Sequence, residues 1–116
     1  MDMLYYIYIG SNRVTIDHLS KITGGMFMAV SSCNKAAKVI DGIRERYNTS
    51  ILYEESTPQK DSQNITFLHK RFPRVYIILI TEGLQKEHRK LYLQAGVNNT
   101  PVSYTHLRAH ETVLDL

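Results

Sequence analysis

Three short groups of residues carry the polar atoms from which a site could be built: Gly10-Ser11-Asn12, Glu54-Glu55 and Thr81-Glu82. Carboxylates beside hydroxyl and amide groups can hold a hard cation, move a proton or accept a phosphoryl group. The first group contains no carboxylate, however, and magnesium seeks carboxylate oxygens, so the chemistry on offer is incomplete. Elsewhere, His106 and His110 stand four residues apart with Glu111 next to the second. On a helix that spacing places two imidazoles on one face, as zinc ligands would be. His18, His69 and His88 share no ligand spacing, and Cys33 has no base near it in the sequence. Those four read as structural residues.

What must position the three polar groups is a set of apolar runs, each of which ends in one of them. The run Val75-Tyr76-Ile77-Ile78-Leu79-Ile80 is unbroken, rich in β-branched residues, and bounded by Pro73 and Gly83. A strand open to water on one face alternates. A continuous run predicts a strand covered on both faces, in the middle of a parallel sheet. Leu4–Ile9 is a second such run and ends at Gly10. Met26–Val30 predicts a short edge strand, and Ser50–Tyr53 a third strand ending at Glu54.

Helical patterns separate these strands. Ser11 or Asn12 can cap a helix carrying Ile16, Leu19 and Ile22, closed by Gly24-Gly25. Ser32 or Asn34 opens a helix with Ala36, Val39, Ile40, Ile43 and Tyr47 on one stripe, ended by Asn48. Asp61 or Ser62 caps a third helix that turns Ile65, Leu68 and Phe72 inward before Pro73. Leu84–Ala95 forms the last, with Leu84, His88, Leu91 and Ala95 on one side and Gly96 as its stop.

Strand and helix therefore alternate four times. That alternation predicts an α/β, flavodoxin-like, doubly wound parallel sheet of order 2-1-3-4(-5), incomplete at the C-terminus. In such sheets ligands bind beyond the carboxyl ends of the strands, where strand order reverses. Ser11, Asn12, Glu54, Glu55, Thr81 and Glu82 are thus the candidate pocket. Ser11 and Asn12 read first as capping residues, Glu54 as a solvated loop acid, and Thr81 as a hydroxyl serving a strand-end backbone group.

The chain has 116 residues, enough for one domain, with 43% hydrophobic and 22% charged residues. A net charge of +3, spread along the chain, gives no reason to expect nucleic acid or an anionic membrane. One cysteine excludes an internal disulfide and suits a reducing cytoplasm. No apolar run approaches the ~20 residues of a membrane span, and Asp2 stands where a signal peptide carries positive charge. A cytoplasmic location is expected. Asn48, Asn64 and Asn98 head glycosylation triplets that a chain not exported would leave unmodified.

From Pro101 to Thr112 the sequence is similar to the conceptual translation of a transposase-type sequencing adapter. Residues 101–116 are therefore expected to be a non-native tail, with residues 1–100 a truncated domain. The histidine pair of the tail then carries no metal reading. A domain ending at Thr100 would leave one edge of Val75–Ile80 uncovered, and it is expected to be marginal or aggregation-prone.

The order of elements, Thr81 after the fourth strand and Ala95-Gly96-Val97-Asn98-Asn99 after the fourth helix resemble a response-regulator receiver domain. Such a domain holds magnesium on acids after the first strand and accepts phosphoryl on an aspartate after the third. It uses a hydroxyl after the fourth strand and a lysine after the fifth. The resemblance places Thr81 at the hydroxyl and puts Glu54, one methylene longer, at the acceptor position. The magnesium acids have no counterpart. Glu54 could instead act as a fixed charge mimicking a phosphorylated state. Tyr8–Asn12 with Val14–Gly25, Arg44–Glu55 and Phe72–Thr100 further resemble the N-terminal extension of Bacteroides-type sugar transferases, which are polyprenyl-phosphate glycosyl-phosphotransferases of the membrane.

That likeness implies a non-catalytic regulatory or interaction domain whose partner is a protein or its own downstream catalytic part. It implies no cofactor, no metal, no nucleic acid and no membrane contact by this segment. The full-length protein would be anchored at the inner membrane, on its cytoplasmic face. Two alternatives remain: an active phospho-receiver of a signalling relay, and a flavin binder using Gly10–Thr15 as a phosphate loop.

Overall fold

The computed structural model describes residues 3–83, 85–98 and 102–103. Along the chain it comprises β1 (Met3–Ile9), α1 (Arg13–Ile22), β2 (Phe27–Val30), α2 (Cys33–Ile43), β3 (Tyr47–Glu54), α3 (Pro58–Arg71), β4 (Tyr76–Thr81), α4 (Lys86–Ala95) and β5 (Val102–Ser103). The strands form one sheet of order β2-β1-β3-β4-β5, and every pairing is parallel. β4 lies between β3 and β5 and, as its unbroken apolar run requires, is covered on both faces. Ile77 and Leu79 face one core while Ile80 faces the other, with Ile78 packed against it.

The larger core packs Ile7, Ile9, Ile51, Tyr53, Ile77 and Leu79 against α2, α3 and α4. The smaller one joins Tyr8, Leu52 and Ile80 to Leu19 of α1. Each fully buried Leu or Ile contributes about 1.5–3 kcal/mol, so the two faces together hold the sheet in register. Register matters here because a one-residue slip would exchange the two sets.

Local chemistry sets the helix starts. Asn12, rather than Ser11, caps α1 and accepts the Thr15 N–H; Ser32, rather than Asn34, caps α2 and accepts the Lys35 N–H. Gly24 and Gly25 follow α1 with φ of 62° and 89°, the left-handed region that favours glycine.

Three boundaries differ from expectation. α2 stops at Ile43, and Tyr47 opens β3 instead of extending the helix stripe. Its backbone pairs with Met3 and its ring packs 5.5 Å from that of Tyr5. α3 begins at Pro58, whose missing N–H costs nothing at a helix start, so Asp61 falls in the first turn and not at the cap. α4 starts at Lys86 and buries Tyr92 and Ala95, leaving His88 and Leu91 half-buried. Leu84 is outside the described residues. So are His106, His110 and Glu111, whereas Val102 and Ser103 lie beside Ile80 and Thr81 as a two-residue fifth strand.

Candidate functional site

The parallel pairing brings the ends of β1, β3 and β4 together, and with them the three polar groups. Asn12, Glu54, Glu55, Thr81 and Glu82 line one cleft of about 300 Å³. Ser11 does not line it but borders a neighbouring hollow of about 240 Å³, which Glu54 also borders.

Glu54 is not simply a solvated acid. Its Oε2 accepts the Ser11 N–H at 3.0 Å, tying the end of β3 to the loop after β1. The buried Tyr8 hydroxyl accepts the Asn12 N–H at 3.3 Å on the same loop. Gly10 is what allows this crowding: a Cβ there would collide with Glu54 Oε2 and lie 2.6 Å from the Tyr8 hydroxyl.

Glu55 is anchored twice to β4, its N–H donating to the Ile80 carbonyl at 2.9 Å and its Oε1 accepting the Thr81 hydroxyl at 2.6 Å. Thr81 Oγ1 in turn accepts the Gly83 N–H at 3.3 Å, the strand-end service expected of it. Glu82 is exposed.

Three carboxylates thus border the cleft, and its lining includes no cationic side chain among the described residues. No group of three or more His, Cys, Asp or Glu side chains among the described residues is placed to hold a metal ion. An arriving phosphoryl group in this cleft would meet three carboxylates, while Lys60 borders the neighbouring hollow that Glu54 shares.

The sequence reading missed the main role of Asp61. This residue is 1% exposed. Its Oδ1 accepts the Tyr53 hydroxyl at 2.9 Å, and its Oδ2 accepts both the Ser56 N–H at 2.7 Å and the Tyr92 hydroxyl at 2.8 Å. Asn64 completes the set by donating to the Tyr53 oxygen at 3.0 Å. One carboxylate therefore fastens β3, the loop after it and α4 to α3. Burial, with the Asp61 charge and hydrogen bonds, pushes the Tyr53 and Tyr92 hydroxyls above their ordinary range.

Cys33, in the same neighbourhood, is pushed up to about 11 by burial first and the Asp61 charge second. Such a thiol is inert at neutral pH, in keeping with a structural role. The signal for this cluster was the pair of tyrosines at core positions, since a buried tyrosine hydroxyl needs a partner.

No family model and no curated protein matches the sequence. Solved structures do. A CheY-like protein (TadZ) from Pseudomonas aeruginosa is similar with a TM-score of 0.77 at 12% identity, over 98% of this chain and 94% of that one. A putative pilus assembly-related protein from Burkholderia pseudomallei follows with a TM-score of 0.74 at 15% identity, over 97% and 87%.

The fold is that of the CheY-like, flavodoxin-like proteins. At these identities the likeness extends to the CheY-like fold alone. Among the described residues no helix is long and apolar enough to cross a membrane.

Proposed function

We propose that this receiver-like domain is a non-catalytic regulatory or protein-interaction module that acts by contact rather than by phosphoryl transfer. The carrying observation is that its strand-end polar groups are committed to one another: Glu54 to the Ser11 N–H at 3.0 Å, and Thr81 to Glu55 at 2.6 Å. In a phospho-receiver the acceptor carboxylate and the hydroxyl both serve the incoming phosphoryl group. Here a phosphoryl group on Glu54 would displace the Ser11 bond and stand beside Glu55 and Glu82, where like charges repel. The domain instead holds its first loop in one position and presents a constant surface.

The parent protein we propose is a membrane polyprenyl-phosphate glycosyl-phosphotransferase, with this domain ahead of its catalytic part. Support for that parent is the sequence likeness over Tyr8–Asn12, Val14–Gly25, Arg44–Glu55 and Phe72–Thr100. The partner is the downstream catalytic part or a separate protein, and residues 101–116 are an appended tail. Uninterrupted genomic DNA beyond the Thr100 codon tests this assignment. A membrane segment followed by transferase sequence is expected; a DNA-binding helix-turn-helix would overturn it. For the mechanism, the chain is incubated with acetyl phosphate and magnesium and its intact mass measured. No phosphoryl increment is expected. An increment that disappears in Glu54→Gln would show a working receiver instead.

A further inference from the structure

One edge of the sheet has no neighbour among the described residues: β2 pairs with β1 alone. The Tyr6 N–H donates to the Met26 carbonyl at 3.0 Å, and the Gly10 N–H donates to the Val30 carbonyl at 3.1 Å. Alternate residues of a strand turn their backbone groups to opposite sides, so Met28 also faces β1 while Phe27 and Ala29 face outward. The Phe27 carbonyl accepts the Tyr5 hydroxyl at 3.4 Å, which leaves one of its two acceptor positions. The Phe27 N–H and both Ala29 backbone groups have no partner among the described residues.

Proteins guard such an edge with charge, proline or a bulge. Here Thr23 to Asn34 contains no Lys, Arg, Asp, Glu or Pro, and the register with β1 runs unbroken from Phe27 to Val30. The strand is accessible as well as apolar: Met28 is 41% exposed, and Phe27, Ala29 and Val30 are half-buried. Met28 lies beside Ile7 and so shares the sheet face that α2 covers. On α2, Val39 and Ile43 stand about half a turn from Asp41, the residue that pairs with Arg71 of α3. Both are half-buried, so apolar surface continues from Met28 onto the side of α2 turned away from α3.

The outward groups are placed symmetrically about Met28. A second β2 laid antiparallel, with the two-fold axis at Met28, sets Phe27 of each copy opposite Ala29 of the other. Each of these pairs can exchange both backbone hydrogen bonds, and the two Met28 side chains meet in the closely spaced pair between them. A two-fold contact sets a surface against itself, so a patch with charge of one sign repels its copy, whereas this uncharged strand does not.

We propose that β2 is a homodimer interface, through which two copies of the chain join their sheets edge to edge about Met28. None of its residues lines the acidic cleft. The strand has only four residues, so the dimer is weak and forms as concentration rises.

Sedimentation of the 116-residue chain over increasing concentration, up to about 1 mM, is the test. A monomer–dimer equilibrium is expected. Met28→Lys, at an exposed position, should fold and weaken dimerisation by roughly tenfold or more, because it sets two ammonium groups face to face. Met28→Glu should do the same, and an equimolar mixture of the two variants should dimerise again. Ala29→Pro removes an outward N–H without touching the pairing to β1, and should also weaken the dimer by roughly tenfold.

A chain that stays monomeric throughout overturns the proposal. So does a Met28→Lys variant that dimerises like the parent, which would place the contact elsewhere, or a mixture of the Lys and Glu variants that remains monomeric. Undiminished dimerisation of folded Ala29→Pro overturns it too, and if that variant does not fold the Met28 pair decides alone.

Discussion

Removing the Asp61 carboxylate should cost the domain a large part of its stability. The carboxylate is 1% exposed and accepts three hydrogen bonds, at 2.9, 2.7 and 2.8 Å, from Tyr53, Ser56 and Tyr92. Hydrogen bonds to a charged group contribute about 1.5–3 kcal/mol each, and a buried donor left unpaired costs about 1–3. Against this, Asp61→Ala recovers the several kcal/mol spent in taking a carboxylate out of water.

Losses of about 3–5 kcal/mol are typical when one partner of such a buried set is removed. That is a fifth or more of the roughly 5–15 kcal/mol that holds a domain folded. Asp61→Asn keeps the shape and one good acceptor, so about 1–2 kcal/mol is expected; Tyr92→Phe, which removes a single donor, should cost about 1.

Urea denaturation of the chain followed by circular dichroism measures all three. Asp61→Ala within about 1 kcal/mol of the parent, or no worse than Tyr92→Phe, would refute the assignment of Asp61 as the fastening point. A second readout separates charge from packing. Asp61→Asn should lower the Cys33 pKa from about 11, because the Asp61 charge is one of the two causes that raise it. The pH profile of Cys33 alkylation reports that shift.

Gly10→Ala drives a methyl group into the contact between Glu54 and Tyr8, and should destabilise by about 1–3 kcal/mol. In its amide spectrum Ser11 should be among the largest changes, and an unmoved Ser11 signal would contradict the crowding described. Alkaline pH should also destabilise. Cys33 is raised from 9.0, and Tyr53 and Tyr92 from 10.0, so the unfolded chain releases these protons first.

Stability is then fully present below about pH 9 and lost as pH climbs through and above 10. Thermal melts across that range check the sign, and a Tm that rose would be inconsistent with it. A chain stopped after Thr100 loses the pairing of Ile80 and Thr81 with Val102 and Ser103, which leaves the edge of β4 open. Light scattering should show it aggregating sooner than the 116-residue chain.

Much of this architecture is written in local pattern. The unbroken run through Ile77 and Leu79, too short between Pro73 and Gly83 for a buried helix, reads as a doubly covered strand, and Asn12 and Ser32 cap helices because their side chains reach a backbone N–H three residues on. The three polar groups at the strand ends were likewise legible, since parallel strands all finish at one edge. Tyr47 was not. It continues the helical stripe from Ile43 and equally begins the alternation Tyr47-Thr49-Ile51-Tyr53, and only the pairing of β3 with Met3 selects the strand.

Nor could Asp61 be separated from an ordinary helix cap, because the tyrosine that completes its set lies 31 residues away on α4. The bond from Ser11 to Glu54 likewise spans 43 residues. Period and capping act within a few residues, so composition and spacing alone decide the elements. Who meets whom across the sheet is settled by burial and register, which exist only once the whole chain has packed.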